Sequence, residues 1–252
     1  MGIIGKVKNI FTTPGENGNG EFKVPFEYDM HSHLLPGIDD GVKSIDEAVS
    51  ICLEMEKAGY RKLITTPHIM GDFFRNSPDN ILPLRDQLQE ALIKENSNLE
   101  IHASGEYYLD EWFPEKIKNN ELLPFLDNYI LVETPFLNKH SGFREMIFEL
   151  QTKGYKPILA HPERYTFVKS SEEYQEWVDM GILLQVNITS LARNYSPQVR
   201  QNAKTLIKKK LVHFAGTDIH NQKHMRLFYS ALKQNAFKEL KELDLLNNKK
   251  VQ

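Results

Sequence analysis

The chain is 252 residues long, 40% hydrophobic and 26% charged, which excludes disordered and fibrous classes and leaves ample material for a globular core. Its 31 Lys and Arg stand against 34 Asp and Glu, a net charge of −3 that gives no electrostatic footprint for nucleic acid. The single cysteine, Cys52, excludes a disulfide framework and a thiolate zinc site and agrees with a reducing compartment.

The first residues lack the sustained apolar run of a signal peptide, and no stretch is apolar for long enough to span a membrane. A cytoplasmic protein without membrane insertion is expected. From Thr12 to Gly20 the sequence is Thr-Thr-Pro-Gly-Glu-Asn-Gly-Asn-Gly, too rich in glycine and polar residues to order itself. Residues 1–25 are expected to form a flexible arm and residues 26–252 a single domain. Short β-prone runs follow at 28–31, 62–66, 99–103, 129–133, 157–160, 183–187 and 212–217, seven in all. Between them, Ser44-Ile45-Asp46-Glu47 is a capping box that opens an amphipathic helix ended by Gly59. Further helical patterns lie at 79–94, 141–153, 172–180, 197–209 and from 226 onward. This alternation is the rhythm of repeated βα units around a parallel sheet. Cys52 falls on the apolar face Ile45, Ala48, Val49, Cys52, Met55, and the residue six after it is Ala58, not the arginine of a cysteine-phosphatase phosphate loop. Lys208-Lys209-Lys210 reads as the solvated, dipole-complementing end of a helix.

The informative polar residues cluster at strand ends. Asp29, His31 and His33 close the first strand, Thr66-Pro67-His68 follows the second, Gly105-Glu106 the third, and Glu133 ends the fourth. His161-Pro162-Glu163-Arg164 ends the fifth and Asp218-Ile219-His220 the last. Barrel enzymes assemble catalytic groups from such successive strand-end loops. Alternation points His31 and His33 to one side of an extended backbone, so both imidazoles can meet one metal, and Asp218 and His220 repeat the spacing. Each signal alone is weak, but five of the nine histidines hold strand-end positions with carboxylates beside them. Imidazole and carboxylate donors suit Mn, Fe or Zn. Asp29 is read as a supporting or loop-capping residue rather than a ligand. His102, His213, His140 and His224 are assigned to structure or surface.

Such a centre suits phosphate esters, because bound metals activate water and neutralise the phosphoryl oxygens. Arg164 can reach the same oxygens with a bidentate fork; the alternative is an ion pair with Glu163 or another loop carboxylate. Phe73, Phe74, Tyr107, Tyr108, Trp112 and Phe113 lie near strand-end loops and offer either an aromatic wall or core packing.

Taken together, Asp29-Met30-His31-Ser32-His33, Gly37-Ile38-Asp39-Asp40-Gly41, Thr66-Pro67-His68, Gly105-Glu106-Tyr107-Tyr108, Leu131-Val132-Glu133, Ala160-His161-Pro162-Glu163-Arg164-Tyr165, Gln185-Val186-Asn187 and Asp218-Ile219-His220-Asn221 resemble the polymerase and histidinol phosphatase (PHP) family. Within it they resemble the bacterial capsule-associated protein-tyrosine phosphatases of the CpsB/YwqE type, from about Tyr28 to the end. The resemblance implies an α/β fold, a distorted seven-stranded (β/α)7 TIM-like barrel. It implies three divalent metal ions, Mn foremost with Fe, Zn or Mg as alternatives: one held by His31, His33, Glu106 and Asp218, a second by Glu106, Glu133 and His161, a third by Asp40, His68 and His220. Asp40 enters through the resemblance alone. Arg164, Glu106 and Asp218 are the implied catalytic residues. The implied substrate is the phosphotyrosine-bearing tail of a tyrosine autokinase that controls polysaccharide export; self-association is left open. Relatives resemble one another in carrying an arginine in an insertion before His-Met, whereas Asn221-Gln222-Lys223-His224-Met225 is shorter here. Arg75, Lys223 and Arg226 are the candidate replacements, with Tyr107 and Tyr108 as further substrate contacts. Rival readings are hydrolysis of a small alkyl phosphate such as histidinol phosphate, trimming of nucleic-acid ends, and a non-catalytic, metal-stabilised kinase-docking module.

Overall fold

The computed structural model describes residues 23–193 and 196–248. The elements in chain order are β1 (Tyr28–Asp29), α1 (Ile45–Lys57), β2 (Lys62–Thr65), β3 (His68–Ile69), α2 (Pro78–Lys94), β4 (Glu100–Ala103), β5 (Glu106–Tyr108), α3 (Phe113–Lys118), β6 (Tyr129–Glu133), α4 (Phe143–Thr152), β7 (Lys156–Ala160), α5 (Ser171–Asp179), β8 (Leu183–Asn187), α6 (Pro197–Lys208), β9 (Phe214–Gly216), α7 (Gln222–Leu232) and α8 (Asn235–Leu240). Every strand pair is parallel, in two sheets ordered β1-β2-β4 and β3-β5-β6-β7-β8-β9.

The expected second and third strands are each followed by a further short strand that the sequence reading leaves in a loop. Two residues separate β2 from β3 and β4 from β5, and across these gaps Ser104 N donates to Thr65 O (2.9 Å) and Glu106 N to Pro67 O (3.0 Å). His68 and Glu106 therefore open short strands of the second sheet instead of standing in loops, a correction to the reading above. Pro67, which has no amide hydrogen to give a ladder, marks the passage from one sheet to the other. At the far edge, Ser32 bridges Ile219 in parallel, and Asp218 N donates to His31 O (2.8 Å). The chain just past β9 thus lies against the chain just past β1.

Parallel strands with helical crossovers bury both faces. On one face Tyr28, Met30, Ile64, Leu131, Ile158 and Phe214 form an apolar cluster. The other face carries Val132, Leu159, Leu184, Val186 and Ala215, which join helix residues such as Ile51, Cys52 and Met55 in the larger core. The period of two has a direct consequence for the site: Glu133 shares the interior-facing parity of Leu131, and Gln185 and Asn187 share that of Leu183, so polar side chains cap the apolar interior at its C-terminal end.

Local chemistry places the helices. Ser44 accepts from Glu47 N at the start of α1, but Glu47 Oε2 accepts from Lys43 N (3.1 Å), one residue earlier than the expected reciprocal bond. Helix α7 starts at Gln222, four residues before the expected start, because Asn221 Oδ1 caps the amides of Lys223 and His224. Helices α3 and α8, each six residues, have too few turns to show a periodicity in sequence. Of the expected arm, residues 1–22 lie outside the described residues; Val24 is buried and donates to Ala58 O (2.8 Å), so packing begins inside the expected arm boundary. Among the described residues no helix is long and apolar enough to cross a membrane.

Candidate metal centre

The centre is built on two buried imidazoles. Just past β1, His31 Nδ1 lies 2.8 Å from Gln185 Oε1, and His33 Nδ1 lies 2.8 Å from Asp39 Oδ2. Gln185 is oriented because its Nε2 donates to Asn187 Oδ1 (2.8 Å). Both Nδ1 atoms thus face acceptors, which assigns their protons to Nδ1 and leaves the lone pairs on Nε2. Those two Nε2 atoms stand 3.2 Å apart. Two opposed lone pairs at that distance require a proton or a metal cation between or beside them.

Carboxylates surround the pair. Glu106 Oε2 is 3.4 Å from His31 Nε2, 3.4 Å from His33 Nε2 and 3.0 Å from His68 Nδ1, yet it is buried and makes no hydrogen bond. Its other oxygen is 2.9 Å from His161 Nε2. Asp218 Oδ1 is 3.4 Å from His31 Nε2, His33 Nε2 and His220 Nδ1. Asp40 Oδ1 lies between His68 Nε2 (3.4 Å) and His220 Nε2 (3.3 Å), and Glu133 Oε1 is 3.2 Å from His68 Nδ1. Four overlapping groups have donor atoms within 4.8 Å of one another: His33, Asp40, His68, His220; His31, His161, Asp218; His31, His33, Glu106; and His68, Glu106, Glu133. They contain the residues of the implied ligand set but divide them differently, placing His68 beside Glu106 and Glu133. The orphaned buried oxygen and the hard oxygen and imidazole donors fit divalent cations.

The electrostatics express the same demand for positive charge. Burial opposes the charged form of His33, but Asp39 and neighbouring carboxylates outweigh it and raise its pKa well above the usual value. His31 is raised in the same way against burial, chiefly by Glu106 and Asp218, and His68 is pushed up to about 10, chiefly by Glu106. Burial likewise fails to neutralise Asp218 and Glu106, whose pKa values the histidines hold well below the carboxylate range. Without a metal, protons must take the cation positions.

Backbone geometry aims these groups. His161 (φ 33°) and Asp218 (φ 52°) both occupy the left-handed region, which costs a non-glycine residue about 1–3 kcal/mol and concentrates at functional sites. Asp29 accepts from Thr217 N (2.9 Å) and Thr217 Oγ1 (2.8 Å). It therefore clamps the turn that presents Asp218, and the acceptors behind the two histidines are Asp39 and Gln185. Burial pushes the Asp29 pKa up to about 7 against the lowering effect of the Thr217 bond. Gly216 is required by contact: a Cβ there would lie 2.7 Å from Gln185 Nε2 and 2.8 Å from His31 Cβ.

A cavity of about 520 Å³ opens over the centre, lined among others by Phe74, Tyr108, Phe136, Arg164, His220 and His224. The Arg164 guanidinium lies on the Phe136 ring (4.6 Å) with Nη1 3.0 Å from Asp218 Oδ2. Its ion-pair partner is thus a loop carboxylate other than Glu163, which turns inward to accept from Ser190 Oγ (2.8 Å) and Asn187 N (2.9 Å). Phe74 stacks on His68 at 5.6 Å.

Tyr108 lines the cavity, but Tyr107 does not: it is fully buried in the core and its hydroxyl accepts from Leu123 N (2.7 Å). Adjacent residues in a strand face opposite ways, so only one of the two can reach a substrate. Phe113 is likewise core. Arg75 bonds Gly71 O through Nε (2.7 Å) and lines a neighbouring hollow with Trp112, while Lys223 and Arg226 are absent from the cavity lining; none of the three stands in for a second arginine at the centre. Phe73 is exposed outside it. His224, assigned above to structure or surface, is a cavity residue whose Nδ1 lies 3.1 Å from Asp218 O. Asp39, Gln185 and Asn187 stand in the motifs quoted above without a role assigned to them, whereas Phe136 carries no signal in the sequence.

A sequence profile of the family described as capsular polysaccharide synthesis, CpsB/CapC, matches residues 27–234. Tyrosine-protein phosphatase YwqE of Bacillus subtilis (strain 168) is 30% identical over 197 residues, 77% of this chain and 78% of that protein. Tyrosine-protein phosphatase CpsB of Streptococcus pneumoniae is 26% identical over 238 residues, 88% of this chain and 97% of that protein. A solved structure from the crystallographic work on YwqE of Bacillus subtilis and CpsB of Streptococcus pneumoniae, described as unique metal-dependent tyrosine phosphatases, is similar with a TM-score of 0.75 at 28% identity, covering 88% of this chain and 95% of that one.

Proposed function

Because the chain belongs to the CpsB/CapC capsular polysaccharide synthesis family, we propose that it is a metal-dependent phosphatase that hydrolyses protein phosphotyrosine. The observation that carries the reading is the convergence of His31, His33, Glu106 and Asp218 on one buried point whose nitrogen lone pairs and orphaned carboxylate oxygen call for cations. We take the two sheets, bridged past β9 and β1, as the wall of a distorted seven-stranded barrel, with residues 26–252 as one domain. The metal ligands in this reading are His31, His33, Asp40, His68, Glu106, Glu133, His161, Asp218 and His220, enough donors for three divalent ions, Mn foremost.

Divalent metals bound there supply a Lewis acid and an activated water for attack on phosphorus. The protein's own groups do the rest. Arg164, over the Phe136 ring at the cavity wall, presents its guanidinium fork to the phosphoryl oxygens. Phe74, Phe136 and Leu227 offer apolar surface to an aromatic ring, and a cavity of about 520 Å³ accommodates a phosphotyrosyl side chain. Tyr108 lines the cavity, and burial and then Glu133 raise the pKa of its hydroxyl in the ion-free site. A tyrosinate leaving group, with a pKa of about 10, departs without a strong general acid.

The physiological substrate in this reading is the phosphorylated tail of a tyrosine autokinase governing polysaccharide export, encountered in the cytoplasm. The deciding experiment compares a phosphotyrosine peptide, histidinol phosphate and a phosphorylated oligonucleotide, each with Mn²⁺ and after chelation. Preferential, chelator-sensitive release of phosphate from the peptide is expected. Equal or better turnover of the alkyl phosphate, or full activity after verified metal removal, would overturn the proposal.

A further inference from the structure

A second cavity, of about 720 Å³, lies away from the metal centre, between α6, α8 and the 3-10 turn Ile188–Leu191. Its wall holds Arg193, Arg200, Lys204 and Lys208 against one carboxylate, Glu239. Among the described residues none of those four cations forms an ion pair, although the chain as a whole carries a net charge of −3. Arg200, Lys204 and Lys208 follow one another at a spacing of four on one face of α6, an arrangement in which like charges repel and destabilise an isolated helix. The adjoining face is anchored by buried Ala203, Leu206 and Ile207, and Arg200, Lys204 and Lys208 line the cavity beside it. Arg200 Nη1 donates to Arg193 O (3.0 Å), and Arg193 Nε donates to Gln234 Oε1 (3.4 Å), which joins the turn, α6 and α8 into one wall. The Lys208-Lys209-Lys210 run divides here. Lys209 pairs with Glu172 (3.4 Å), Lys210 ends the helix at φ 57°, and Lys208 alone faces the cavity.

The turn that forms one wall also touches the candidate active site: Thr189 lines the metal cavity and Leu191 this one. We infer that the second cavity is an anion-binding exosite that takes a carboxylate- or phosphate-rich segment of the same phosphoprotein whose phosphotyrosine enters the metal cavity. This rests on the phosphatase reading for its substrate, but not for its chemistry: a concave row of uncompensated cations attracts a polyanion whatever the adjacent reaction. The volume exceeds what a single phosphate group needs, which favours an extended acidic chain over a lone anion.

The test uses the full-length, metal-loaded protein and the variant R200E/K204E/K208E, whose side chains are surface residues outside the catalytic cavity. Two phosphotyrosine peptides share the residues next to the phosphotyrosine, and one also carries a distal run of glutamates. The wild type is expected to favour the acidic peptide at low salt through a lower KM. In the variant that preference falls at least tenfold, with kcat and turnover of a small aryl phosphate unchanged. Equal KM changes for both peptides, or no change for either, overturns the exosite. Fluorescence anisotropy of a non-phosphorylated glutamate peptide keeps the question separate from catalysis. Binding lost in the variant supports the exosite even if no aryl phosphate is hydrolysed, whereas failure to bind the peptide while inorganic phosphate binds overturns the peptide as occupant.

Discussion

Replacing Asp39 by Asn should separate the metal site from the fold. The Asp39 carboxylate accepts three hydrogen bonds, from His33 Nδ1 (2.8 Å), His68 N (3.2 Å) and Gly41 N (2.9 Å), and it is buried. An asparagine has only one accepting atom. If its amide nitrogen faces Gly41, two donors meet. If it faces His33, the imidazole must accept at Nδ1 and move its proton to Nε2, the atom 3.2 Å from His31 Nε2 where a cation would bind. An unsatisfied buried polar group costs about 1–3 kcal/mol, and loss of a partner behind a metal-ligating histidine weakens metal binding about 10–100-fold, roughly 1.4–2.7 kcal/mol. D39N should therefore fold, with an ion-free melting temperature only a few degrees below wild type, and bind Mn²⁺ at least tenfold more weakly. The assays are thermal unfolding of ion-free protein and competition for Mn²⁺ with a chelator of known affinity. Wild-type metal affinity in D39N would refute the assignment of protons to Nδ1 and the supporting role of Asp39.

Arg164→Ala should lower kcat/KM for an aryl phosphate by about 10²–10³, the usual effect of removing one preorganised donor to developing negative charge, while leaving bound metal measured by elemental analysis unchanged; a parallel loss of metal would make Arg164 a structural partner of Asp218 instead. Gly216→Ala should destabilise by about 1–3 kcal/mol, because the new Cβ overlaps Gln185 and His31 in the fully buried β8–β9 layer. It should lower the melting temperature of the ion-free protein by several degrees, and an unchanged melt would show that this layer can shift. Cys52 should resist a thiol reagent at pH 8 in the native protein and react on denaturation, since burial raises its pKa far above the free value; rapid native labelling would contradict its place in the core.

Much of the architecture is written in local pattern. The alternation of β-prone runs with amphipathic segments marks seven strands, and the structure keeps them and adds two short ones, β3 and β5, each after a two-residue link. A Pro or Gly inside such a link looks like a terminator in sequence, and only pairing with a neighbouring strand shows that the chain continues. The spacing of His31 and His33, and of Asp218 and His220, likewise follows from backbone geometry that sequence carries directly.

The surroundings of those residues depend on contacts that local spacing does not encode. His31 is oriented by Gln185, 154 residues away, and Asp29 clamps Thr217 across 188. Tyr107 and Tyr108 are equivalent in composition, and only the direction of β5 sends one into the core and the other to the cavity. His224 reads as a surface residue until α7 is seen to begin at Gln222 and lay its first turn against His220 and Asp218. Lys208 reads as part of a solvated run until α8 closes a cavity beside it. The sequence determined the ligand types and the alternation that brings them to strand ends, because both are properties of neighbouring residues. The tertiary structure decided which groups face one another across the sheet, because that depends on registers and crossings set by the whole core.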